Sequence, residues 1–176
     1  MIEYRELTEN EICRELFAGF IRHQNVTKCF RKENSGWIIT DAPFVDDWTE
    51  SDYAILIDCL KNTVRTGGFV YAAFNDGILK GFASVESGLF GGEQKYLDLS
   101  SIHVSEDMRG TGIGKKLFNA AKDWANKHGA KKLYISAHSA VETQAFYKAM
   151  GCTEAQVYNQ KHTEAEPFDC QLECKL

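Results

Sequence analysis

Met108-Arg109-Gly110-Thr111-Gly112-Ile113-Gly114-Lys115 decides how the rest of this chain is read. An alternating run, Tyr96 to Val104, precedes it, and Ile113, Leu117, Ala121 and Trp124 follow at helical spacing. The segment is therefore a strand, a glycine-rich turn and a helix. Glycine takes positive φ and lets a ligand approach the main chain. Consecutive amide N–H groups and the helix N-terminus then form an anion site. An ordinary tight turn is the simpler alternative, but three alternating glycines opening a helix favour a phosphate. Two familiar phosphate loops do not fit. A Walker loop needs Gly where Arg109 stands, and Ser or Thr where Lys116 stands. A dinucleotide fingerprint needs a further glycine in place of Lys115 or Lys116, and an acidic residue ending the next strand.

Working outward, Phe69 to Phe74 and Ile78 to Val85 read as strands joined by the tight turn Asn75-Asp76-Gly77. After the helix, which runs to about His128 and stops at Gly129, comes a short apolar strand, Leu133 to Ser136. A helix over Val141 to Met150 and two terminal strands, around 152–159 and 168–175, complete the C-terminal part. Towards the N-terminus, Ile2 to Leu7 alternates as a strand. Thr8 to Glu11 forms a capping box predicting a helix with Ile12, Leu16, Phe17 and Phe20 inward. Val26–Arg31 and Trp37–Thr40 read as an irregular hairpin turned at Asn34-Ser35-Gly36. Thr49 or Ser51 caps a second helix carrying Tyr53, Leu56, Ile57 and Leu60, which stops near Gly67-Gly68. Antiparallel strands followed by a strand–helix–strand crossover predict an α/β (α+β) chain with a mixed sheet.

With 176 residues, 44% hydrophobic and 26% charged, the chain is long enough to bury a real core. Two prolines and no low-complexity segment leave no visible linker, so one domain over 1–176 is expected. A net charge of −5 argues against general nucleic-acid or membrane-surface binding. No apolar run is long enough to span a bilayer, and the first residues lack the order of a secretory signal. Six cysteines in such a chain are expected to be reduced thiols in the cytoplasm. Cys170 and Cys174 sit on a strand without partners for zinc, so no metal is expected. The charge is unevenly spread: residues 109–132 hold seven basic and one acidic residue, a net +6, leaving −11 elsewhere.

Arg109-x-x-Gly112-x-Gly114 resembles the pyrophosphate-binding motif of the GNAT superfamily of acetyl-CoA-dependent N-acetyltransferases. Leu99 to Val104 resembles that family's central strand. Ser139 to Gly151 resembles its later segment ending in Tyr-x-x-x-Gly, here Tyr147 to Gly151, with Cys152 in place of the usual aromatic and alanine or serine near the usual asparagine. The resemblance covers about 70–160 and implies a mostly antiparallel central sheet flanked by helices, with acetyl-CoA as co-substrate. It assigns Ile102, His103 and Val104 to backbone contacts with the cofactor, on a strand that splays from its neighbour. Arg109, Gly110, Thr111, Gly112, Ile113, Gly114 and Lys115 become the pyrophosphate loop. Tyr147 matches the tyrosine facing the CoA sulfur, and Asp98 lies six residues before Val104, where such proteins often carry a glutamate base. Being shorter, Asp98 is expected to act through water, unless it is only a strand-edge aspartate bonded to backbone. His103 is expected to pack rather than act as a base, and Glu142 is a minor candidate for capping or acceptor contact.

An amine must lose a proton before it attacks a thioester. For a lysine-like pKa this costs roughly 4–5 kcal/mol at pH 7, so a base or an acidic pocket is needed. Asp41, Asp46, Asp47, Glu50, Asp52 and Asp58, with Trp37, Phe44 and Trp48 nearby, could wall a cationic acceptor site. Some could instead simply serve a helix N-terminus. The leading expectation is acetyl transfer to a primary amine of a small molecule or peptide. A silent CoA-binding sensor is the alternative, and a nucleic-acid module is disfavoured by the acidic chain. Pairing through sheet edges would give a homodimer, on the resemblance alone.

Overall fold

The structure is a computed structural model and describes residues 1–176. Its main sheet has seven strands in the order β1-β4-β5-β6-β7-β9-β8. These are β1 (Ile2–Glu6), β4 (Phe69–Asn75), β5 (Ile78–Val85), β6 (Tyr96–Val104), β7 (Lys132–Ala137), β8 (Thr153–Glu154) and β9 (Cys170–Lys175). All neighbours are antiparallel except β6 and β7. That parallel pair requires the crossover by α2 (Ile113–Lys127). β2 (His23–Glu33) and β3 (Gly36–Asp47) form a separate two-stranded ribbon, longer at both ends than the sequence suggests.

Each face of the sheet carries its own core. Leu117, Phe118, Ala121 and Ala125 of α2 meet Ala83, Val85, Leu97 and Leu133 on one face. Helix α3 (Val141–Ala149) adds Tyr147 there. On the other face Tyr53 and Leu60 of α1 (Glu50–Arg65) pack with Val70, Phe74 and Phe82. Burying one such side chain contributes about 1.5–3 kcal/mol, so the crossover helix is held by its apolar stripe.

One N-terminal expectation changes. Thr8 and Glu11 do form the capping box, with Thr8 N–H and Oγ1 each 2.8 Å from Glu11 Oε2. It opens only two short 3₁₀ turns, over 9–11 and 14–17, because Ile12 and Cys13 are extended. That break turns Ile12, Phe17 and Phe20 into one pocket against Tyr53 and Phe82, whereas a continuous helix would spread them around its surface. In α1 the cap is Thr49: its Oγ1 accepts from Asp52 N–H at 3.2 Å while Asp52 takes Thr49 N–H at 2.7 Å. At the other end, the expected strand over 152–159 shrinks to β8, and an unexpected helix α4 (Gln160–Ala165) follows, capped by Asn159. Short helices of this kind lack an apolar period, which is why the pattern does not announce it. No helix is long and apolar enough to cross a membrane.

Candidate active site

β6 and β7 pair only as far as Asp98 with Tyr134. Beyond that point β6 keeps β5 on one side and has no neighbour on the other, while β7 continues along β9. The split between them opens into a cavity of about 800 Å³.

One end of the cavity is the glycine turn. Gly110 and Gly112 have φ of 77° and 87°, a region that side chains rarely adopt. A Cβ on either would meet nothing within 4 Å, so it is conformation, and not crowding, that demands glycine. Gly114 is different: a Cβ there would come 3.2 Å from Phe146, so α2 begins close against α3. The N–H groups of Gly112, Ile113, Gly114 and Lys115 have no acceptor in the protein. These residues fit a phosphate group: free amides, the positive end of a helix dipole, open space and Lys115 converge. The turn is anchored from behind. Lys80 Nζ bridges Gly19 O at 3.0 Å and Asp107 Oδ2 at 2.7 Å, and Ser105 Oγ donates to Asp107 Oδ1 at 2.5 Å.

Ile102, His103, Val104, Arg109, Gly110, Gly112, Ile113, Gly114, Lys115 and Tyr147 all line the cavity. Thr111 does not; its hydroxyl donates to Met108 O at 2.6 Å and closes the turn. His103 lies edge-on to Trp48, ring centres 4.7 Å apart. Burial, with Arg22 and Arg109 nearby, pushes its pKa down to about 3. The ring stays neutral near pH 7 and is a weak proton acceptor, as a packing role requires. Burial raises the Tyr147 phenol above its ordinary value, so it stays protonated and offers an O–H.

Asp98 stands at the apex of the split but outside the cavity lining. Its Oδ2 lies 2.6 Å from Nε2 of His162 on α4, and its buried Oδ1 has no partner. His162 was not visible as a site residue in the sequence; Asn159 before it, a good N-cap, was the available signal.

The acidic segment also reads differently in three dimensions. Asp46 is paired with Arg22, His23 Nδ1 lies 2.7 Å from Asp47 Oδ1, and Arg14 grips Glu50 with contacts of 2.8 and 2.7 Å. Asp52 serves the cap of α1. Of the six carboxylates only Asp46 lines the cavity, and Arg22 beside it holds that wall near neutrality. Arg22 keeps 9% side-chain exposure, faces Trp48 at 5.2 Å and leaves Nε without a partner. Gln24 and Asn25 continue this polar wall away from the turn, where Ile21 N–H donates to Ser105 Oγ at 2.9 Å, and Ser136, His138 and Glu142 also line the cavity.

A strand split beside a glycine-capped helix, in a mostly antiparallel sheet, defines an acyl-CoA-type transferase site. A sequence profile described as the acetyltransferase (GNAT) family matches residues 33–152. The chain belongs to that family and is an acetyl-CoA-dependent acyltransferase. No curated protein matches it by sequence. Among solved structures it is similar to a Bacillus anthracis str. Ames protein, named for streptothricin acetylation and in complex with acetyl coenzyme A. That likeness has a TM-score of 0.73 and 16% identity over 100% of both chains. It is also similar to PaiA N-acetyltransferase from Thermoplasma acidophilum in complex with coenzyme A (TM-score 0.61, 16% identity, 100% of this chain and 99% of that one). Ribosomal-protein-alanine N-acetyltransferase from Brucella melitensis gives a TM-score of 0.60 and 22% identity over 99% of both chains. These likenesses extend the shared fold across the whole chain.

Proposed function

We propose that the protein transfers the acetyl group of acetyl-CoA to a primary amine of a small molecule or peptide, by direct attack in a ternary complex. One observation carries this reading: a single cavity joins the unpaired amides at the start of α2, the split between β6 and β7, and the polar wall of Arg22, Gln24 and Asn25. Bound acetyl-CoA supplies an activated acyl carbon. The amides of Gly112 to Lys115 hold the pyrophosphate, and unpaired backbone of Ile102 to Val104 orients the thioester and polarises its carbonyl. Tyr147 hydrogen-bonds the sulfur; with its raised pKa it orients the leaving group more than it acidifies it. Asp98 lies outside the cavity lining with its Oδ2 2.6 Å from His162 Nε2, so it acts from behind the site by holding His162.

The acceptor end is polar and nearly neutral, which suits a hydrophilic amine without requiring several positive charges. Thiol release from acetyl-CoA, measured with spermidine, kanamycin, lysine and a lysine-containing peptide, tests the reading. Release above background hydrolysis with at least one acceptor is expected. Tight CoA binding with no release for any amine would instead mark a CoA-binding protein without turnover.

A further inference from the structure

A second cavity, of about 210 Å³, lies behind the first, lined by Arg31, Lys32, Tyr158 and Asp169 among others. Two hydrogen bonds at Ser136 join their walls. Ser136 Oγ, in the wall of the main cavity, donates to Asp169 Oδ2 in the wall of the smaller one, at 3.0 Å.

The direction of that bond is set by its neighbours. Asn159 N–H donates to Tyr134 Oη at 2.9 Å, and the Tyr134 hydroxyl donates to Gln171 Oε1. With its oxygen taken, Gln171 offers Nε2 to Ser136 Oγ at 3.0 Å. The Ser136 proton is left pointing at Asp169. A chain of donors therefore ends on one carboxylate, the only member without a proton of its own. Asp169 is half-buried, and burial raises its pKa above its ordinary value, against the lowering hydrogen bond from Ser136. The ionisable groups around it are His138 after β7, His162 of α4, Glu166, Cys170, Tyr147 of α3, and Arg31 and Lys32 from the ribbon.

We propose that Asp169, reached through Ser136, takes up the proton that the acceptor amine loses, and that the second cavity is its exit to solvent. This rests on the acetyl-transfer reading. The ammonium nitrogen sheds two protons overall. As nitrogen bonds to the acyl carbon and the C–S bond breaks, one proton goes to the departing CoA sulfur. The other passes to the Asp169 carboxylate and then to water. Asp169 is a relay residue that acts through Ser136; Asp98 supports it from behind by holding His162.

Asp169→Asn tests this in the full chain, with thiol release followed against pH using whichever of the four amines the unaltered enzyme acetylates. CoA affinity is expected to stay the same, showing an intact fold. Turnover at pH 7 is expected to fall about 100-fold. It should then climb close to tenfold per pH unit until the pKa of the acceptor amine is reached, because only amine that is already neutral can attack. Asp169→Glu should restore part of the rate and the original profile. Should Asp169→Asn fail to fold, Ser136→Ala leaves the carboxyl in place and is expected to slow turnover about tenfold. Unaltered kcat and pH profile in Asp169→Asn, or unaltered kcat in Ser136→Ala, would overturn the proposal while leaving acetyl transfer standing. No turnover by the unaltered enzyme with any amine would sink the transfer reading, and this proposal with it.

Discussion

The two ends of the cavity are built on different plans. The donor end comes from eight consecutive residues, 108–115, and works mainly through main-chain groups at fixed dihedral angles. The acceptor end assembles side chains from the N-terminal segment, the ribbon, the loop after β7 and, behind it, α4 and the start of β9. A backbone site needs only the right local conformation, so few substitutions retune it and a single one breaks it. A side-chain site depends on which charges pair, so it can be altered one residue at a time.

The largest expected effect lies at the donor end. Gly112→Glu puts a carboxylate into the anion site at a φ of 87°. It should weaken CoA at least about 100-fold, roughly 2.7 kcal/mol. Calorimetry on a variant with unaltered secondary structure would check it; unchanged affinity would remove the pyrophosphate from this turn. At the acceptor end, Asn25→Ala should leave CoA affinity alone and raise the acceptor KM about tenfold. Steady-state kinetics with both substrates varied would show the split, and an effect on both would erase the contrast between the ends. Tyr147→Phe, between them, should lower kcat about tenfold and spare CoA binding, as loss of one hydrogen bond to sulfur predicts.

The smallest effect concerns the docking of α4. Its hydrogen bond to Asp98 raises the His162 pKa above the unfolded value. The charged pair therefore stabilises the fold fully below the unfolded pKa, about 6.5, and that stabilisation fades as pH rises through the higher folded value. The contribution is on the order of 1 kcal/mol for a pair whose side chains keep 29% and 14% exposure. Thermal melts across that range should show a loss in the unaltered protein that His162→Gln removes; the same pH dependence in both would detach His162 from Asp98.

How much of this was legible follows the same division. The order of strands around α2, the tight turn at Asp76-Gly77 and the Thr49 cap follow from local pattern. The N-terminal helix did not form, because burying Phe17 and Phe20 together against Phe82 outweighed a regular hydrogen-bond ladder. The acidic segment looked like a charged wall because a sequence shows carboxylates without their partners. Arg22 is 24 residues from Asp46, and Arg14 is 36 from Glu50. No local pattern marks Asp169: its partner Ser136 is 33 residues earlier, and neither residue alone encloses the cavity.

The sequence by itself determined the glycine turn, the crossover helix it opens and the family, because dihedral preference and apolar period are properties of neighbours along the chain. Only the tertiary structure decided which carboxylates remain free, where β6 and β7 part, and that Asp169 and His162 stand behind the split. Charge, burial and hydrogen-bond direction depend on what folding brings within about 3 Å, and that distance is not written along the chain.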